Sequence, residues 1–128
     1  MFLMKGNKMK IAISINSSEM DDKMDMRFGR AKKFMIYDTE TKTNELIDNA
    51  QNLNAAQGAG IQSAQNVINT GADAVITGHT GPKAYKLLSE SRVKIYHSEE
   101  KPVKDVIADF IAGTLKEADS PDVEGHWA

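Results

Sequence analysis

Regular patterning begins at residues 10–16, KIAISIN, where branched apolar side chains recur at alternate positions until the polar run SSEMDD interrupts them. A short apolar run with polar boundaries predicts a buried strand. KFMIYD (33–38) predicts a second strand and ELIDN (45–49) a third, with the turn cluster TETKTN between them closing a hairpin. From Gly60 the period lengthens. Ile61, Ala64, Val67 and Ile68 recur at helical spacing, and Gly71 follows as a helix terminus. ADAVITG (72–78) predicts a fourth strand, GPKAYKLLSE (81–90) a helix with Pro82 in its first turn, and VKIYHS (93–98) a fifth strand. PVKDVIADFIAG (102–113) carries Val103, Val106, Ile107, Phe110 and Ile111 on one face and is the plainest amphipathic helix of the chain.

Three strands followed by helix, strand, helix, strand and helix predict an antiparallel meander that passes into parallel crossovers. The expected fold class is α/β: a ribonuclease-H-like motif, a five-stranded mixed sheet of order 3-2-1-4-5 with helices on its faces. Strands one, three, four and five then point the same way, so segments 17–27, 50–60, 78–81 and 97–101 gather at one sheet edge. Strands one and four are neighbours whose connections leave in different directions, the geometry at which open α/β sheets bind ligands.

Length and composition narrow the partners. A chain of 128 residues, 41% hydrophobic, has room for one compact core. That domain is placed at residues 9–115, with 1–8 as a dispensable leader and 116–128 as a mobile tail without periodicity. Sixteen Lys plus Arg against eighteen Asp plus Glu give a net charge of -2. No long-range field then favours nucleic acid or an anionic membrane, and neither is an expected partner. No apolar run approaches the roughly 18–20 residues of a membrane span, and MFLM is too short for a signal-peptide core, so a cytoplasmic location is expected. The absence of cysteine removes every thiolate-based zinc, iron–sulfur or nucleophile motif.

The candidate chemistry lies at the predicted edge. In RFGR, Arg27 and Arg30 bracket Phe28 and Gly29, and a tight turn there converges two guanidinium groups on something anionic. GHTGPK offers the backbone of Gly78, His79, Thr80 and Gly81 at a helix start, where N–H groups and the helix dipole favour an anion. His79 adds an imidazole able to ligate a metal, and His97 falls on the same edge. Gly58 and Gly60 close the amide-rich loop NAQNLNAAQGAG, suited to lining a pocket or to simple flexibility. Met20, Met24 and Met26 offer thioethers for a soft metal, although methionines more often pack onto a core or an adaptable surface.

Taken together, KIAISIN, RFGRAKKFMIYD, QGAGIQSA, ADAVITGHTGPKAYKLL and VKIYHSEEKPVKDVIADFIAG resemble the dinitrogenase iron-molybdenum cofactor biosynthesis family, which includes NifX-like carriers and the carboxy-terminal part of NifB. FGRA, GAG and the G-x-x-GP-x-A loop are its strongest pieces. The resemblance implies a ribonuclease-H-like fold and a cofactor-binding protein whose cargo is an iron-molybdenum cofactor or an iron–sulfur precursor cluster. It implies Arg27, Phe28, Gly29, Arg30, Gly58, Gly60, Gly78, His79, Thr80 and Gly81 as cofactor-binding residues, with His79, His97 and His126 as metal ligands. Cluster-assembly proteins are the partners it suggests. Many members carry a histidine immediately before FGR, where this chain has Arg27, so no ligand carries over to that position.

Two other classes compete with the non-catalytic carrier. A ribonuclease-H-like nuclease needs carboxylates converging from the first strand, and IAISIN has none. A small regulatory or interaction domain would bind another anion, a nucleotide or an acidic partner, through the same loops, because fold alone does not name a ligand.

Overall fold

The structure, a computed structural model, describes residues 8–51 and 58–121. Its elements follow the hydrophobic pattern closely: β1 (Lys10–Ile15), β2 (Lys33–Asp38), β3 (Asn44–Asp48), α1 (Ala59–Asn69), β4 (Ala74–Thr77), α2 (Pro82–Glu90), β5 (Lys94–His97), α3 (Val103–Ala112) and β6 (Lys116–Glu117). They build one mixed sheet of order β3-β2-β1-β4-β5-β6. β1 pairs antiparallel with β2 and parallel with β4, and β5 continues parallel to β4. β2 and β3 form the expected antiparallel hairpin.

The period-two alternation in β1 divides two cores. Ile11, Ile13 and Ile15 point to the face covered by α3, where they meet Val103, Val106, Ile107 and Phe110. Ala12 points the other way, into a cluster with Val67 of α1 and Leu88 of α2. A strand paired on both sides and covered on both faces must be apolar throughout, which is why KIAISI reads as a continuous buried run. β3 lies at the sheet border and is mostly exposed, including Leu46.

One expectation is corrected. The sheet has six strands, not five, because the segment after α3 turns back at Gly113, whose φ of 77° suits glycine, and pairs with β5. Tyr96 pairs with Glu117 and His97 with Lys116, and Ala118 N–H donates to the Ile95 carbonyl at 2.8 Å. Residues 116–118 therefore belong to the sheet and not to an irregular tail. Lys116 and Glu117 are both exposed, so the strand is held through its backbone and leaves no hydrophobic period to read. His126 lies outside the described residues.

Because β1, β3, β4 and β5 share a direction, α1, α2 and α3 all start at the same sheet edge. That edge carries the candidate site.

Candidate functional site

The connection from β1 to β2 decides the shape of this edge. It leaves Ile15, crosses to α3 and returns. On the outward pass, the carbonyl of Met20 accepts from Lys104 N–H (3.0 Å) and that of Asp22 from Val103 N–H (2.9 Å). These carbonyls satisfy first-turn donors that would otherwise lack a partner at the start of α3. Met24 N–H donates to the Lys101 carbonyl at 3.0 Å, and the Met24 side chain is 1% exposed within the α3-face core. Met20 and Met26 pack against the same cluster. The three methionines thus pack on the core.

The return pass closes over the β1–β4 junction. Asp25 N–H donates to the Ser14 carbonyl at 2.8 Å, while Ser14 Oγ donates to the Asp25 carbonyl at 2.6 Å and lies 2.7 Å from Thr77 Oγ1. Arg27 then bridges to His79 in parallel fashion, and Phe28 N–H donates to the His79 carbonyl at 3.3 Å. Gly78 lies against this pass. A Cβ built there would stand 2.7 Å from Met26 Cα and 2.6 Å from its carbonyl oxygen, closer than real contacts allow. The glycine at 78 is needed for backbone-to-backbone approach, with no positive φ involved.

RFGR folds as a single 3₁₀ turn, Phe28–Arg30. Phe28 is 1% exposed and packs on Phe34 at a ring separation of 5.4 Å, so it anchors the turn from below instead of presenting its ring to a ligand. Arg27 and Arg30 are exposed. Arg27 is partly engaged: its N–H donates to Asp25 Oδ1 at 2.8 Å and its Nε lies 3.7 Å from the same oxygen. Gly29 accepts a hydrogen bond from Ser63 Oγ of α1 at 3.4 Å. Asn49, which the sequence did not single out, fixes the turn from the other side, with Nδ2 donating to the Ala31 carbonyl at 2.8 Å and to Ser63 Oγ at 2.9 Å.

Gly58 and Gly81 are the N-caps of α1 and α2. Neither supplies a side-chain cap, and neither first turn contains an acidic residue. Gly60 is buried in the first turn of α1. Thr80 is fully buried, with Oγ1 at 2.5 Å from Nε2 of half-buried His97. The fold thus joins Arg27 and Phe28 to His79 through the backbone, and Thr80 to His97 through side chains. Gly29 meets α1 through Ser63, one helical turn on from the buried Gly60. Among the described residues, no three or more histidine, aspartate or glutamate side chains gather to hold a metal.

Sequence reasoning missed Ser14, Asp25 and Thr77 as well as Asn49. A serine inside an apolar strand is a weak but real signal, since a buried hydroxyl needs a partner. Asp25 was hidden among the exposed acids Asp21 and Asp22; only its place two residues before Arg27, where an Asx-type turn forms, sets it apart. A cavity of ≈280 Å³ lies elsewhere, between β5, β6 and the end of α3, walled by Met9, Tyr96, Phe110 and Leu115. Burial, and then the charge of Glu117, push the Tyr96 hydroxyl's pKa above its ordinary value and disfavour its ionised form. No helix among the described residues is long and apolar enough to cross a membrane.

Known proteins resemble this chain in sequence and in fold. The family model described as dinitrogenase iron-molybdenum cofactor matches residues 9–113. The apo form of the orange protein from Desulfovibrio gigas is 31% identical, with a TM-score of 0.83 over 96% of this chain and all of that one. A candidate NifB protein from Thermotoga is 28% identical, with a TM-score of 0.76 over 90% of this chain and 97% of that one. An uncharacterized protein of Methanocaldococcus jannaschii is 32% identical over 117 residues, 89% of this chain and 95% of its own length.

Proposed function

The chain belongs to the dinitrogenase iron-molybdenum cofactor family, and from that premise we propose that it is a non-catalytic holder of an anionic metallocofactor. Its cargo on this reading is an iron-molybdenum cofactor or an iron–sulfur precursor, received from and passed to cluster-assembly proteins of the cytoplasm. The ribonuclease-H-like description of the fold belongs to the same reading and is compatible with the sheet order. One observation carries it: the exposed Arg27–Arg30 turn lies next to two helix N-termini without side-chain caps or first-turn acids, those of α1 and α2.

The physical case is electrostatic. Backbone N–H groups at a helix start carry partial positive charge, and a guanidinium adds a full charge with forked donors. With no cysteine and no gathered metal-ligand set among the described residues, the chain offers a preassembled anionic cluster donors and charge more than coordinate bonds. Such holding is reversible, which suits transfer. His79 and His97 are the imidazoles at this edge that supplement those contacts.

The test is anaerobic incubation with iron-molybdenum cofactor extracted from nitrogenase, followed by desalting, visible absorption and metal analysis. Wild-type protein is expected to retain colour, iron and molybdenum. Protein that emerges colourless and metal-free at cofactor concentrations far above the protein's would contradict the proposal.

A further inference from the structure

Asp25 Oδ2 is buried and has no hydrogen-bond partner among the described residues. The Asp25 side chain is only 4% exposed, and its ionic neighbour among the described residues, Arg27 Nε, lies 3.7 Å away on the other carboxylate oxygen. A buried acceptor without a partner destabilises the state that buries it. Here that state is the one in which residues 25–27 lie on Gly78.

We propose that Asp25–Arg27 is a lid over the β1–β4 junction, hinged between two buried anchors, Met24 and Phe28, and kept ready to open by the unsatisfied carboxylate oxygen of Asp25. The flanks hold by different means from the lid. Met24 is 1% exposed, with its N–H on Lys101, and Phe28 is 1% exposed on Phe34. Between them the main chain is held by the Ser14–Asp25 bonds and the Arg27–His79 bridge. Lifting the segment exposes Oδ2 to water and leaves the outward pass on α3 in place. It uncovers Gly78 and the hydroxyls of Ser14 and Thr77, next to the start of α2. The lid rests on the proposed holding site for its purpose: cargo reaches the floor of the crevice only when Met26 leaves Gly78. The closed lid and the missing Cβ at 78 are two parts of one device.

The test uses the full chain without any cargo, so it stands or falls independently of what the crevice holds. Native-state hydrogen exchange followed by NMR reads the Asp25 amide, bonded to Ser14, against the Met24 and Val103 amides, bonded to Lys101 and Asp22. In the wild-type protein the Asp25 amide is expected to exchange at least tenfold faster than the other two. Asp25→Ser keeps an acceptor for the Arg27 amide and deletes the orphan oxygen. It should slow exchange at residue 25 by about tenfold, leaving Met24 and Val103 unchanged. Gly78→Ala should speed it, because the added methyl meets Met26 backbone. Equal protection at the three amides of the wild-type protein, or no slowing in Asp25→Ser, overturns the lid; both readings remain available if the alanine variant does not fold.

Discussion

The starts of α2 and α3 lie at the same sheet edge, and each follows a parallel strand, yet they are finished differently. At α3 the first-turn donors are taken by the carbonyls of Met20 and Asp22, and Asp105 adds an acid to the turn. At α2 the N-cap is a glycine, the first residue a proline, and the first turn holds no acid. α1 resembles α2 in this, with Gly58 as its cap. Among the described residues, backbone carbonyls from the β1–β2 connection close the start of α3, and the starts of α1 and α2 are where we propose that the cargo binds. Both ends have helix dipoles; what separates them is whether negative partial charge already sits on the positive pole.

The comparison is most strongly tested at Phe28, which sits inside the candidate site in sequence and inside the core in space. Phe28→Ala is expected to destabilise the protein by roughly 3–5 kcal/mol, the range for a truncated buried aromatic, as read by urea unfolding. A small loss of stability with a large loss of cofactor retention would mean the ring serves the ligand directly. Arg30→Ala should behave oppositely. Charge-assisted contacts are worth about 1.5–3 kcal/mol each, so cofactor affinity should fall by about tenfold or more while the melting temperature barely moves.

The smallest expected effect is at the closed end. Lys104 Nζ lies 2.7 Å from Asp21 Oδ1, and that hydrogen bond, followed by the charge of Asp21, raises the lysine's pKa above its ordinary 10.5. A raised folded value means the contribution is complete below about 10.5 and is lost as the pH climbs through the folded value. Both side chains are exposed, so solvent screens the pair. Thermal stability of wild type and Lys104→Ala should therefore run nearly parallel from pH 6 to 9, converging only in strong alkali. A wide gap across the whole neutral range would show that the side chains, and not the backbone carbonyls, tie this connection to α3.

These differences also mark what the sequence can carry. β1, β2 and α3 were legible because burial imposes a period of two or 3.6 on their apolar residues, and their observed limits fall within a residue of the expected ones. β6 was illegible because two exposed charged residues held by backbone pairing impose no period at all. At the site, the RFGR and GHTGP segments were found through glycine and arginine, residue types with few structural substitutes. Their meeting through the Arg27–His79 bridge followed from the strand order. The packing of Met26 on Gly78 did not, because the path of the β1–β2 connection depends on long-range bonds from Lys101, Val103 and Lys104. Asp25 was one acid among several until the fold buried it and left Asp21 and Asp22 in solvent.

The central claim, that one end of the edge is open to an anion and the other closed by the chain itself, is tested most directly by amide mapping. Isotope-labelled protein is titrated anaerobically with extracted iron-molybdenum cofactor, and the backbone signals that shift or broaden are assigned. The account predicts effects at residues 25–31, 58–61 and 78–84, with residues 103–106 and the Tyr96–Phe110 cavity silent. Perturbation centred on 103–106 or on that cavity, with the Arg27–Arg30 turn unchanged, would contradict it.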